Sequence, residues 1–493
     1  MPIRLLYFEP HGSDIRISLV ERDFIYAHLE SQLRANVNVA NYLKLAGQEA
    51  EEQANQWLMA KHAKYAILSH TWLRTVPGEI TYGDWIKERG PFDAESLGYK
   101  KLVNFCRTAW KVHGFTFGWI DTICINKESS SELDESIRSM YNWYARSQLC
   151  IVYLAETQIL ANMHVDPWFT RGWTLQELLA PRTIKFYGRK WHPLFEGSDN
   201  DKTVYQIMKQ IEKASTISSD ELDDIRAAPI SRRMQLAAVR EVTREEDTAY
   251  SLMGIFNVSI MTAYGEGAKR AFFRLLQEIL TSSFDILDLL NCAGRWDPHR
   301  AHPSGMLPTN PQWYLKRSTH PDLSLGIPIK PLLLTHLGLR VPVILMPALS
   351  ASSQSPYSPI GDFSATVNIK PVEPNLYHSF YNVLDKKITN IDGPNPNVPG
   401  SSQITLAVVN FKQAVEDESE PGSIVIPETC FAIPIECLQT MERVVIGWDF
   451  DIRGIEIHEP IVFHLKTKNR RGSREVHRDR LKEHGMHLVS VYM

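Results

Sequence analysis

No phosphate-cradling G-x-x-x-x-G-K-[ST] loop occurs anywhere in the 493 residues, which excludes nucleotide hydrolysis on such a loop. No G-x-G-x-x-G follows an apolar strand run, and the nearest glycine pair, Gly265 and Gly267, lies between helical segments and reads as caps. There is no H-E-x-x-H, and the scattered histidines lack metal-ligand spacing. A nucleophile elbow is also missing, and adjacent Ser and His side chains at a strand end diverge, so Ser69, His70 and Asp121 do not make a serine hydrolase. Six cysteines without paired short spacings give neither a disulfide framework nor a zinc site. Cys106, Cys124 and Cys150 fall inside apolar runs, as reduced core cysteines do.

Excess charge and long apolar runs are scarce too. A net charge of -4 argues against a chain built to hold nucleic acid or an anionic membrane. The basic stretch from Lys466 to Lys482 reads as a solvated strand-and-loop surface. The N-terminal apolar run is too short for a secretory signal. The most hydrophobic region, Ile327 to Leu349, is broken by Lys330, His336, Arg340 and several prolines, whereas a membrane helix needs about 20 nearly uninterrupted apolar residues. Two buried strands joined by a turn at Gly338 fit it better. The expectation is a cytoplasmic protein with no membrane span and no nucleic-acid partner.

What is present is an ordinary globular composition, 44% hydrophobic and 22% charged, in a chain long enough for two or three domains. Residues 1–62 read as a strand or hairpin followed by a helical insertion. Residues 63–200 alternate short apolar runs with amphipathic helices: YAILS, FGWID, CIVYL and TIKFYG as strands, with KKLVNFCRTAWKVHG, a helix opened by Ser131, and FTRGWTLQELLA between them. That rhythm predicts an α/β fold with a parallel sheet flanked by helices. Residues 201–290 form a helical extension, in which Thr243 ahead of Glu246 fits a capping box and Gly254 ends or kinks a helix. From 291 to 493 prolines are frequent and helical periodicity is scarce, which predicts a β-rich C-terminal domain with mobile loops at 350–359 and 391–402.

In an open α/β sheet, ligands bind beyond the carboxyl ends of the strands. Ser69, His70 and Trp72 follow the first sheet strand, and Asp121 follows the second. Arg171 and Trp173 open the helix after the third. Glu177 stands four residues beyond Trp173, where helical spacing aims the carboxylate and the indole at one space. Each also has a structural reading. His70 and Asp121 can bond loop backbone, Trp72 can plug the end of the sheet, and Arg171 and Glu177 can serve as buried partners for one another or for the loop after Asp121.

The segments YAILSHTW, WIDTICINK and DPWFTRGWTLQELLAP resemble, in order and spacing, the three signature motifs of the HET (heterokaryon incompatibility) domain of filamentous fungi. The likeness covers roughly Tyr65 to Leu280. Two departures stand out: a helical insertion of about forty residues precedes the first motif, and Ile123 and Asn126 replace the cysteine and the carboxylate often found in the second. The resemblance implies a nonself-recognition protein that triggers cell death, standing alone with a C-terminal accessory domain. It also implies a TIR-like, flavodoxin-like core. Some TIR domains cleave NAD with a glutamate in W-C-x-x-E-L, and W-T-L-Q-E-L puts Glu177 at the matching place. On that analogy Glu177 is the catalyst of an NAD glycohydrolase. Ser69, His70, Trp72, Asp121, Arg171 and Trp173 would then line the NAD site, with NAD as substrate and no cofactor required. The competing expectation is a non-enzymatic signalling module that self-associates or recruits a protein partner.

Overall fold

The computed structural model describes residues 1–34 and 64–292, apart from 13, 74, 76–77, 89–91 and 283–285, together with parts of 307–319 and strand segments between 332 and 492. The chain divides into two compact units, Met1–Ala228 with Val239–Gly267, and Pro229–Ala238 with Ala268–Met493. Everything that positions the candidate site lies in the first.

That unit opens with strands β1 (Arg4–His11) and β2 (Asp14–Glu21), a hairpin in register from Arg4 opposite Glu21 to His11 opposite Asp14. Helix α1 (Arg22–Arg34) follows, and the rest of the expected insertion, 35–62, lies outside the described residues. Then come β3 (Ala66–His70), α2 (Tyr82–Glu88), α3 (Leu97–Arg107), β4 (Phe117–Trp119), the single turn α4 (Asp121–Cys124), α5 (Ser130–Arg146) and β5 (Leu149–Tyr153). The unit continues with α6 (Thr174–Leu179), β6 (Ile184–Tyr187) and α7 (Tyr205–Ser215). The sheet order is β2-β1-β4-β3-β5-β6. Strands β4, β3, β5 and β6 run parallel, and β1 joins β4 antiparallel, so the hairpin extends one edge. The parallel sheet flanked by helices is the expected α/β layer.

The physical reason is plain in the strands. Every residue of β3, β4 and β6 is buried, as strands covered on both faces require, and this is why they read as short apolar runs, interrupted only by Ser69, His70 and Lys185, each of which finds a polar partner. Trp119 of β4 packs edge-on against Trp143 and Tyr144 of α5, with ring centroids 5.7 and 5.9 Å away. Cys106, Cys124 and Cys150 are free buried thiols, as the apolar runs around them indicated.

Local signals were read less well than strands. Helix α5 begins two residues earlier than Ser131 implies: Ser129 is the N-cap, accepting from the Glu132 amide at 3.4 Å. The stretch FTRGWTLQELLA is not one helix. Asp166 caps a 3₁₀ turn over Pro167–Thr170, accepting from the Trp168 amide at 3.0 Å, and an extended Arg171 separates that turn from α6. The capping box at Thr243 does not form, because the Glu246 carboxylate is taken by the Gly265 and Gly267 amides at 2.7 and 3.2 Å. Gly265 and Gly267 sit at φ of 98° and 83°, in the left-handed region that favours glycine.

In the second unit, helices span Ile230–Ala238 and Ala268–Ser282. Asp288 accepts from the Ser231 amide at 2.6 Å and the Ser231 hydroxyl at 3.0 Å. Its described strands are mostly antiparallel: Leu333–Thr335 pairs Gly338–Pro347 as a hairpin, which is flanked by Gln403–Val408 and His487–Tyr492. The loops expected at 350–359 and 391–402 lie outside the described residues.

Gly254 neither ends nor kinks its helix. It lies inside Met253–Phe256, and Asn257, at φ 57°, supplies the left-handed stop. What Gly254 provides is closeness, since a Cβ there would overlap the Cβ and ring of Tyr141 on α5. Helix propensity favours Ala over Gly by about 1 kcal/mol. Gly254→Ala is nonetheless expected to destabilise the unit by about 1–3 kcal/mol, as overpacking does. An unchanged urea midpoint would show that the two helices separate at no cost.

Candidate functional site at the carboxyl end of the sheet

Strand β3 ends in Ser69 and His70, whose side chains leave opposite faces and build two different clusters. The first is dry. The Ser69 hydroxyl donates to Glu177 Oε2 at 2.5 Å and accepts from the Trp168 indole at 2.7 Å. Tyr144 donates to the Leu68 carbonyl at 2.9 Å and also lies in hydrogen-bond reach of Glu177. Glu177 is only 8% exposed. Burial pushes its carboxyl up to about 8; the Ser69 bond opposes this, the Asp121 charge adds to it, and Tyr144 and Arg240 oppose it. Near neutral pH Glu177 therefore holds its proton.

The second cluster is more open. His70 Nε2 lies 3.2 Å from Asp121 Oδ1, and the Trp72 indole donates to Asp121 Oδ2 at 3.0 Å. Lys127 reaches the same carboxylate at 3.6 Å and stands 3.6 Å above the Trp72 ring, a cation–π contact on a side chain that is 48% exposed. On its other side His70 Nδ1 meets Lys101 Nζ at 2.9 Å. An ammonium only donates, so Nδ1 accepts, the ring proton sits on Nε2, and Nε2 donates to Asp121. Lys101 also donates to the Thr71 carbonyl at 3.0 Å and pairs with Glu79, which accepts from the Leu73 amide at 2.8 Å. Burial lowers the Lys101 pKa, partly offset by Glu79. Burial works against an ionised Asp121 as well, but Lys127, His70 and Trp72 outweigh it and hold the carboxyl well below the usual range.

Strand β3 is flanked by β4 on one side and β5 on the other, and the chain order of the parallel strands reverses there. Such a switch point is where open α/β sheets take ligands. Ser69 with Glu177, and His70 with Trp72 and Asp121, are thus brought together as the motifs implied. Arg171 and Trp173 bond elsewhere. The Arg171 guanidinium donates to Thr243 at 3.1 Å, and the Trp173 indole bonds Asp247, which also accepts from Tyr264 at 2.8 Å. Although the Trp173 carbonyl accepts from the Glu177 amide at 3.4 Å, the two side chains engage different partners, the indole Asp247 and the carboxyl Ser69.

Sequence reasoning missed Trp168, Tyr144, Lys101, Glu79 and Arg240. Lys101 gives no signal, because one buried lysine in KKLVNF looks like its solvated neighbour. Lys127 was visible at the end of the second motif. Among the described residues no group of three or more His, Cys, Asp or Glu side chains is placed to hold a metal ion, and no helix is long and apolar enough to cross a membrane.

Fold and site together define an α/β domain with a polar site at a topological switch point. The family model of the heterokaryon incompatibility protein (HET) matches residues 65–164, which hold the first two motifs. The chain is also 36% identical over 270 residues to the vegetative incompatibility protein HET-E-1 of Podospora anserina. That alignment covers 51% of this chain and 19% of the relative, so the chain spans about a fifth of that protein's length. No solved structure matches. The chain carries a HET domain.

A buried carboxyl raised from 4.5 to about 8 stabilises the fold fully below the lower value and loses that contribution as pH climbs through the upper one. Glu177→Gln removes the titration. The Tm of the variant relative to wild type is therefore expected to rise steadily between about pH 5 and 8 in a calorimetric series. A constant offset across that window would mean that the carboxyl ionises as freely in the fold as in the open chain.

Proposed function

We propose that the protein acts in the cytoplasm in fungal vegetative incompatibility, as a nonself-recognition effector that triggers cell death. We propose further that its HET domain does so by cleaving the nicotinamide–ribose bond of NAD with Glu177. The carrying observation is the buried Glu177 carboxyl at the switch point of a parallel sheet, coupled by charge to Asp121, which in turn pairs with an exposed aromatic and a cation. The strand order β4-β3-β5-β6, second-first-third-fourth among the parallel strands, supports a flavodoxin-like and so a TIR-like core.

In this reaction the glycosidic electron pair leaves with nicotinamide and an oxocarbenium-like ribose develops. The Glu177 carboxylate stabilises that charge, and water adds at the anomeric carbon with release of a proton. Only the ionised carboxylate can do this. The pyridinium charge of NAD favours that form on binding, as any cation near a carboxyl does. Trp72 offers a ring to stack on, Lys127 a cation for phosphate, and Asp121 an acceptor for a ribose hydroxyl. Ser69, His70 and Trp173 act by holding this frame.

The near-complete burial of Glu177 favours a second reading, in which the carboxyl is an internal strut and the domain signals by self-association or by recruiting a partner. One variant separates the two. Below about pH 4.5, where the carboxyl is protonated in the folded and the unfolded chain alike and Gln is nearly isosteric with it, Glu177→Gln is expected to leave Tm almost unchanged. Loss of NAD by the purified protein should fall about 100-fold or more, the scale of losing one preorganised electrostatic contact. Equal turnover by variant and wild type would leave the strut reading.

A further inference from the structure

We propose that Arg240 is a positioning residue of the Glu177 site, fixing the start of α6 through Arg171 and Thr174 and setting a buried positive charge against the carboxyl. This rests on the catalytic reading of Glu177 given above. Arg240 lies outside the three motifs, yet it belongs to the same compact unit as the site. Its Nη1 donates to the Arg171 carbonyl at 2.8 Å and to Thr174 Oγ1 at 2.9 Å. Those two groups flank the break where the chain turns into α6. The residue is 7% exposed, and its Nη2 has no hydrogen-bond partner among the described residues. A buried guanidinium with an idle donor costs stability, so a further role is needed to explain it.

Arg240 also begins a strap over the third motif. The Glu241 amide donates to the Thr170 carbonyl at 2.7 Å, and its carbonyl accepts from the Gly172 amide at 2.8 Å. A Cβ on Gly172 would overlap Val242, so glycine is needed for the strap to lie flat there. Thr243 takes the Arg171 guanidinium and Asp247 the Trp173 indole. The strap therefore fixes the backbone from which Glu177 projects.

The groups acting on Glu177 are Ser69 from β3, Tyr144 from α5, the Cys150 thiol from β5, Asp121 after β4, and Arg240 from the strap. Asp121 disfavours an ionised Glu177, and Arg240 favours it. Removing the guanidinium charge must make Glu177 harder to ionise, while a merely packed arginine would leave its titration alone.

The test is a Tm-against-pH series on the full chain for wild type, Arg240→Met and Arg240→Lys, each with and without Glu177→Gln. NAD turnover is followed over the same pH range. The loss of stability assigned to Glu177 is expected to end about one pH unit or more higher in Arg240→Met, and near its wild-type position in Arg240→Lys. With Glu177→Gln present, Arg240→Met should shift Tm equally at every pH up to about 8, above which burial, which lowers Arg240 itself to about 9, lets the guanidinium titrate. The rising limb of NAD turnover should move upward in step. Arg240→Gln replaces Arg240→Met if the latter does not fold. A Tm offset that is the same at every pH in both backgrounds would overturn the proposal. If wild type turns over no NAD, the catalytic reading fails while the Tm comparison still decides whether Arg240 sets the Glu177 charge.

Discussion

The hydrogen bond from Ser69 to Glu177 is the contact on which the rest of this site depends. It joins the end of β3 to a short helix that follows β5, across a distance of 108 residues in the chain. A carboxyl so deeply buried is tolerated only when its oxygens find donors or it keeps its proton. Here both conditions hold, because Ser69 supplies a donor and burial raises the pKa. The hydroxyl that serves Glu177 is itself oriented by the Trp168 indole. Three residues from two separate motifs thus form one chain of bonds, and none of them is satisfied if either motif moves. This explains in physical terms why the motifs come as a set.

The parallel strands were legible because burial on both faces favours short apolar runs, and YAILS, FGWID, CIVYL and TIKFYG alternate with longer amphipathic segments. The residues at the ends of those runs were legible for the same reason, since polar groups closing an apolar strand stand out. The break in FTRGWTLQELLA was not, although its causes are local. Pro167 opens a 3₁₀ turn capped by Asp166, and the Thr174 hydroxyl bonds the Trp168 and Arg171 carbonyls, drawing the chain away from a continuous helix. Apolar periodicity carries no trace of those polar competitors. The strap from Arg240 to Asp247 was illegible for a different reason. Its bonds to the third motif are long-range, and in sequence it looks like a gap between two amphipathic helices.

The two clusters beyond β3 differ in wetness, and that difference assigns their charges. Asp121, held by Lys127, His70 and Trp72 and partly open to solvent, stays ionised. Glu177, enclosed behind Ser69, holds its proton to about pH 8. Two carboxyls whose surroundings push their pKa values apart can take different roles at one pH. The permanent anion of Asp121 also contributes to keeping Glu177 neutral, so the clusters are coupled even though different faces of β3 build them.

That coupling bears on how a cationic ring would enter. A pyridinium approaching the exposed Trp72 meets Lys127 already above the indole and paired with Asp121, so the ring must displace an ammonium to stack there. A dinucleotide carries the means to do this, because its phosphates attract the displaced Lys127 while its cation replaces it beside Asp121. In this exchange the pyridinium takes over from Lys127 the pairing with Asp121, one cation for another. A neutral ligand of the same shape offers neither the phosphates to draw Lys127 away nor a cation to replace it. On the proposed reading, the charge pattern of a dinucleotide, more than its shape, governs its entry beside Asp121.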